Sequence, residues 1–390
     1  MLKTVLPPAC YTEQSWFDLE REKLFGQLWL FAGFTYQLSV DNSFITRRLN
    51  GMPVLVQNCK GQIRAFRNAC AHRGMPIQTE PCGTRKMICP YHGWGYDGEG
   101  ALRGVPNGTL YGMCQAEKDE LRLQGFAVVK IGIFVFVNLS AEPINIDDQY
   151  DEAVQRALLA ISANAAPQAS YTHFEKRFNW KLNFENILDW NHFQFIHPNS
   201  FAALLEYEPS GALKRPNSQR SHWFGPEGEL GEVQMPSGHQ DLNQLNLRDI
   251  SRVIQAQLPY EPRWFSSLIE HTADPGAFLN LHLFPNLNIG SLNGETFYVQ
   301  QLCPASPNTT DVHSWVFTAR LKPDAAFAPH LLWGMHHAEM NVIQEDAVLL
   351  VQLQEALESA DTVGVLGSQE NHLAAMGIWY MNHLKGTTEQ

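Results

Sequence analysis

The hydrophobic rhythm of the chain changes twice. In Thr12–Phe31 (TEQSWFDLEREKLFGQLWLF) the apolar residues Phe17, Leu24, Leu28 and Phe31 recur at helical spacing, which predicts a helix. Short alternating runs follow. Phe44–Arg48 and Pro53–Gln57 flank Asn50-Gly51, a two-residue hairpin signal, and Lys60-Gly61 turns the chain into a third strand, Ile63–Arg67. Glycine-rich, β-like segments continue to about Leu139, and VVKIGIFVFV (Val128–Val137) reads as one buried strand. Longer periods return after Pro143. A helix is expected over Tyr150–Ala163, a strand over Tyr171–Trp180, and a helix over Leu182–Ile196 that Pro198 stops. Residues 200–262 are polar and loop-rich. Phe278–Phe284, Leu287–Leu292, Thr296–Leu302 and Val312–Leu321 then predict an antiparallel sheet, followed by helices over Leu331–Ala360 and Glu370–Leu384. The fold class is α+β. A small all-β domain is expected over 38–142, and a larger domain, 1–37 with 143–390, carries an antiparallel sheet covered by long helices.

Composition narrows the function classes. The 390 residues are 44% hydrophobic and 17% charged, with a formal charge of -12, which argues against a general nucleic-acid or anionic-membrane binder and leaves room only for a local basic patch. No apolar run approaches a membrane span, and the N-terminus lacks the apolar core of a signal peptide, so a cytoplasmic location is expected. Seven cysteines without a secretion signal suit reduced thiols and a metal site better than a disulfide framework.

The stretch CAHRGMPIQTEPCGTRKMICPYHGW (Cys70–Trp94) supplies such a site. Cys70-x-His72 and Cys89-x-x-His92 stand sixteen residues apart. Two readings compete: a structural zinc clip, and a Rieske [2Fe–2S] centre in which two Cys hold one iron and two His the other. Zinc fingers pair Cys with Cys and His with His. Here each loop carries one of each, which favours iron–sulfur. Cys82, between the loops, reads as a spare buried thiol.

A second cluster follows in NWKLNFENILDWNHFQFIHP (Asn179–Pro198), where Asp189, His192 and His197 form D-x-x-H-x-x-x-x-H. Two imidazoles and a carboxylate make the facial triad of Fe(II) oxygenases. The plainer alternative is two ordinary histidines on an amphipathic helix. A five-residue step turns about 140° on a regular helix, so His192 and His197 share a ligand sphere only if the helix ends between them. Pro198 supplies a reason for that, which places His192 on the helix and His197 just beyond it. Farther on, Asp346 sits on the apolar stripe of Met340–Leu357 while Glu345 points about 100° away. A carboxylate on a buried face needs a cation or hydrogen bonds. Asp346 is therefore the candidate third ligand, with Glu345 as its rival. His336-His337, His173, His222, His239, His271 and His282 lack partners at ligand spacing. Trp223, Phe224, Trp264, Phe265, Phe278 and Phe284 are candidates for a substrate pocket or simply core.

Taken together, the chain resembles the Rieske non-haem iron oxygenases. Their C-x-H-x(15–17)-C-x-x-H signature matches Cys70, His72, Cys89 and His92. Asn179-Trp180-Lys181, Glu185-Asn186, Asp189, His192 and His197 follow in the family's order. Met75 and Tyr91 stand where respiratory-type Rieske proteins carry an extra disulfide. The resemblance implies a Rieske domain with a helix-grip catalytic domain, and a terminal oxygenase with a [2Fe–2S] cluster and mononuclear Fe(II) on His192, His197 and Asp346. It gives Asp189 the relay between the centres. It further implies electrons from NAD(P)H through a separate reductase or ferredoxin, since the chain shows no dinucleotide fingerprint, and a homotrimer. The expected substrate is a small organic molecule, an aromatic one foremost, to be hydroxylated, dioxygenated or demethylated.

Overall fold

Asn50 and Gly51 both adopt positive φ (50° and 73°), the geometry of a tight hairpin turn, and Lys60 and Gly61 do the same (55° and 89°). These two turns fold Ser43–Leu49 (β2), Met52–Cys59 (β3) and Gln62–Arg67 (β4) into an antiparallel meander. The computed structural model describes residues 3–4, 6–189, 192–197, 200, 206–207, 213–214, 224–225, 228–229, 245–270, 273–323, 329–361, 364–367 and 370–385. The chain divides into two units: residues 24–146, and residues 1–23 with 147–390.

The smaller unit is a seven-stranded sheet. Trp29–Phe34 (β1), Cys82–Thr84 (β5), Gly125–Ile131 (β6) and Phe134–Asn138 (β7) join the meander in the order β1-β7-β6-β4-β3-β2-β5. Three expectations are corrected here. The helix ends at Lys23, and Trp29–Phe34 is a strand with every residue buried, where a helix running to Phe31 was expected. An unbroken apolar run has no period to separate helix from strand. Val128–Val137 is a hairpin, β6 turning into β7 at Gly132 (φ 57°), and not one strand. Cys82 is exposed, because β5 is a short edge strand.

The larger unit carries a six-stranded antiparallel sheet. Its strands are Ala165–Lys176 (β8), Arg252–Gln257 (β9), Ala277–Leu283 (β10), Leu287–Leu292 (β11), Thr296–Ser306 (β12) and Thr309–Ala319 (β13), in the order β8-β13-β12-β11-β10-β9. The helices are Gln14–Lys23 (α1), Glu152–Asn164 (α2), Trp180–Leu188 (α3), Phe193–Ile196 (α4), Pro329–Leu357 (α5) and Asn371–Lys385 (α6). Asp151 caps α2 by accepting from Val154 N at 2.8 Å, and Asn179 caps α3 by accepting from Lys181 N at 3.0 Å. Each cap is worth about 1 kcal/mol.

The start of α3 is anchored below the surface. Lys181 and Glu20 are both fully buried and form an ion pair, and Glu20 also accepts from Trp180 Nε1 (2.9 Å) and Tyr380 Oη (2.6 Å). Lys181 and Glu185 stand one helical turn apart, but the ion pair goes to Glu20. Glu185 accepts from Tyr11 Oη at 2.8 Å instead. Among the described residues no helix is long and apolar enough to cross a membrane.

Candidate metal centres

In the smaller unit two loops share one build. Cys70 N–H donates to Met75 O and Gly74 N–H to Cys70 O, both at 2.8 Å; Cys89 N–H donates to Trp94 O (2.8 Å) and Gly93 N–H to Cys89 O (3.0 Å). Gly74 and Gly93 adopt φ of 74° and 73°, a conformation that side chains resist, so glycine lets both loops close without strain. Cys70 and Cys89 are buried in the core with Trp94 and Tyr96. His72 and His92 are partly exposed, their ring centroids 4.7 Å apart, and His72 stacks on Trp94. The sulfurs face in and the imidazoles face the rim.

This spread decides between one ion and two. Four ligands of a single tetrahedral zinc lie within about 4 Å of one another. Among the described residues, the group whose ligand atoms all fall within 4.8 Å is His192, His197 and Asp346, and the loop residues form no such set. Cys70, His72, Cys89 and His92 form no such single set, with the sulfurs inside and the imidazoles at the rim, an arrangement that fits a two-iron cluster better than one ion.

Tyr96 tunes the inner side. Its Oη accepts from Ala71 N–H at 2.9 Å, which turns its own hydrogen toward Cys70 Sγ, 3.1 Å away. Burial pushes the Cys70 thiol up, and the Tyr96 hydrogen bond pulls against it. A hydrogen bond to a cluster sulfur favours the reduced, more negative state. Tyr96→Phe is therefore expected to lower the cluster's reduction potential without loss of the cluster, as read by redox titration; an unchanged potential would remove this role.

In the larger unit the break that the His–His spacing requires comes twice. Helix α3 ends at Asp189, which is extended (φ -94°, ψ 121°), so the expected continuous helix to Ile196 is not formed. His192 then caps the single turn α4 at its N-terminus, and His197 ends it with non-helical angles (φ -110°, ψ 45°). His192 thus precedes a short separate helix, and His197 lies beyond its end. Their rings come within 5.4 Å, centroid to centroid.

Helix α5 brings the third group. Asp346 Oδ1 lies 3.1 Å from His197 Nε2 and 3.8 Å from His192 Nε2. The Asp346 side chain is half-buried, but its Oδ1 is shielded from water, and no hydrogen bond of acceptable geometry reaches that oxygen among the described residues. Electron pairs converging on one point repel unless a cation lies between them, and two imidazoles with one carboxylate are the donor set of non-haem Fe(II). Behind the imidazoles stand two more carboxylates. Asp189 Oδ2 is 3.5 Å from His192 Nδ1, and Glu345 Oε2 is 2.9 Å from His197 Nδ1 while also accepting from Ser200 Oγ at 2.6 Å. Such partners fix the ring orientation and the tautomer. Glu345 therefore supports His197 from the far side and is not one of the three converging groups.

A cavity of about 730 Å³ opens in front of this cluster. Helix α5 forms one wall. The other is the sheet, where register places Asn280 beside Gly290, Gly290 beside Tyr298, and Asn288 beside Gln300. Phe278 lines it as expected from the sequence. Trp264 is exposed, Phe265 is buried outside the lining, and Phe284 packs in the core against Trp180, Phe184 and Trp379. Trp223, His222, His239 and His271 lie outside the described residues, as does the side chain of Phe224. His336 bonds Ser170 Oγ (3.0 Å) and His173 bonds Asp311 (3.3 Å), away from the cavity. The cavity residues that sequence reasoning missed are Glu339, Tyr298, Gln300 and Asn280. Glu339 carried a signal, standing seven residues before Asp346 on the same helical stripe.

Residues 164–386 match the family described as ring hydroxylating alpha subunit (catalytic domain), more than half of the chain, and residues 28–111 match the Rieske [2Fe-2S] domain. The chain belongs to the ring-hydroxylating alpha-subunit family. The two matched domains imply a [2Fe–2S] cluster and a mononuclear iron. It is similar to the glycine betaine monooxygenase oxygenase subunit of Pseudomonas aeruginosa (strain UCBPP-PA14), 31% identical over 207 residues, 52% of this chain and 47% of that protein. A second glycine betaine monooxygenase oxygenase subunit, from Chromohalobacter salexigens, is 27% identical over 328 residues, 78% of this chain and 69% of that protein. The chain spans about half the length of the first of these relatives. Among solved structures, a quaternary ammonium Rieske monooxygenase, described with carnitine oxidation and inter-subunit electron transfer, superposes with a TM-score of 0.75. It is 19% identical, with 100% of this chain and 96% of that chain covered, a likeness of fold.

Proposed function

We propose that this chain is the terminal oxygenase of a multicomponent system that hydroxylates an N-methyl group of a small methylated ammonium compound. The observation that carries the oxygenase reading is the convergence of His192, His197 and Asp346 on one point at the wall of a cavity large enough for a small substrate. The methylammonium reading draws on the printed substrates of the relatives and on the cavity wall, where Asn186, Asn280, Asn288, Gln300 and Glu339 would leave an aromatic hydrocarbon facing unmet polar groups. The aromatic substrate expected from the sequence gives way to this reading.

Cys70, His72, Cys89 and His92 would hold the cluster, which supplies single electrons, and His192, His197 and Asp346 would hold Fe(II), which keeps positions open for O2. Glu345 and Asp189 orient the two imidazoles from behind. Asp189, beside His192 Nδ1 at 3.5 Å, would also relay between the centres, with a second copy of the chain as the other half of the electron route. Overall, the methyl C–H and O2 consume two electrons and two protons from a reductase or ferredoxin. One oxygen atom enters the C–H bond and the other leaves as water. The resulting N–CH2OH group loses its hydroxyl proton to water as its C–N bond breaks, the electron pair staying on nitrogen, and releases formaldehyde and the amine.

The test measures O2 uptake and formaldehyde release with a matched reductase over a panel of methylammonium and aromatic substrates. Wild type is expected to couple the two with a methylammonium compound. Asp189→Asn is expected to keep both metal centres and to reoxidise its reduced cluster far more slowly. Coupled turnover confined to aromatic hydrocarbons sinks the substrate assignment, and an unimpaired D189N sinks the relay.

A further inference from the structure

The cavity contains a carboxylate that neither metal centre uses. Glu339 lies on α5 seven residues before Asp346; at 1.5 Å per residue this is about 10 Å along the same face. It is 8% exposed, and its hydrogen bond among the described residues comes from Gln300 Nε2, 3.1 Å from Oε1. No ion pair involves it among the described residues. Arg263 lines the same cavity but hydrogen-bonds toward Tyr298. Burial pushes the Glu339 carboxyl up to about 7, with Gln300 pulling the other way.

A carboxylate removed from water needs a counter-charge. Gln300 meets one oxygen of Glu339 and leaves the other for whatever fills the cavity. A quaternary ammonium group donates no hydrogen bond, so it is recognised by bare negative charge and by aromatic faces. Tyr298 and Phe278 line the same space. Between Asn280 and Tyr298 stands Gly290, at which a Cβ would meet nothing within 4 Å, so the floor is open to a branched head group. An aromatic acid would instead bring a further negative charge into a cavity that already holds Glu339 and Asp346. We propose that Glu339 is the residue that selects a cationic methylammonium substrate, pairing its charge while Tyr298 and Phe278 pack against its methyl groups. This rests on the cavity being the substrate site of the oxygenase.

The experiment is calorimetric titration of the anaerobic holoenzyme with two matched pairs. Choline is set against its uncharged carbon isostere 3,3-dimethylbutan-1-ol, and glycine betaine against 3,3-dimethylbutanoate. Wild type is expected to bind the cationic member of at least one pair tenfold or more tighter. Glu339→Gln, with an unchanged melting temperature, is expected to weaken that member by on the order of tenfold to a hundredfold and to leave its isostere within about twofold. A wild type without charge preference overturns the proposal with no variant needed, and so does an E339Q protein that keeps the preference. Oxygen uptake with a non-cationic substrate alongside either result would retain the oxygenase and remove only Glu339's role. A protein that holds no iron at His192, His197 and Asp346 would remove the oxygenase reading itself.

Discussion

His192→Ala is expected to empty the mononuclear site while leaving the visible absorption of the cluster intact. Three groups converge within 4.8 Å, and an ion left with one imidazole and one carboxylate loses much of its binding energy. Substituting a residue behind a ligand costs roughly 10–100-fold in metal affinity or activity, so losing a ligand costs more than about 100-fold. Iron per chain and substrate-dependent O2 uptake should fall together, and the cluster should still be reducible. Asp346→Ala should behave in the same way. Glu345→Gln should only weaken iron binding, because Glu345 reaches His197 through Nδ1. If E345Q empties the site and D346A fills normally, the ligand assignment is reversed.

Glu20→Ala is expected to destabilise the larger unit by about 3–5 kcal/mol, since it leaves the Lys181 ammonium buried without its counter-ion. Trp180 Nε1 and Tyr380 Oη lose their acceptor in the same step. The damage falls at the first turn of α3, the helix that delivers Asp189. Denaturant unfolding measures the loss, and the double variant Glu20→Ala with Lys181→Met should regain part of it. A loss under about 1 kcal/mol would mean that water or another group reaches Lys181.

The candidate metal-binding groups stood out in the sequence because their spacing is local: a Cys and a His on each loop, and two His five apart before a proline. Asp346 was readable because a charged residue on an apolar stripe is an anomaly. Glu339 is the same anomaly two helical turns earlier, yet sequence does not say where along the helix the stripe leaves the core and meets a cavity. Trp29–Phe34 and Val128–Val137 were misread for a different reason. Trp29–Phe34 is buried at every residue and apolar throughout, so it carries no period, whereas Val128–Val137 hides a turn at Gly132 inside an apolar run. The helix break at Asp189 had no such excuse in periodicity. It follows from the need to aim His192 and His197 at one point, which is a tertiary demand.

The larger unit is built from both sides of the smaller one: residues 1–23 pack with residues 147–390, as in the pairing of Lys3–Thr4 with Val365–Leu366 and of Lys23 Nζ with the Leu384 carbonyl. On the ribosome, residues 24–146 emerge complete while the segment holding Asp346 is still unmade, and synthesis of the remainder takes on the order of tens of seconds. The nested unit can therefore mature and take up its cluster before any pocket for the second metal exists. Connectivity thereby sets an order of completion: the nested unit has all its residues first, and the cluster of His192, His197 and Asp346 is assembled only after the chain's late segments have come back to its earliest ones.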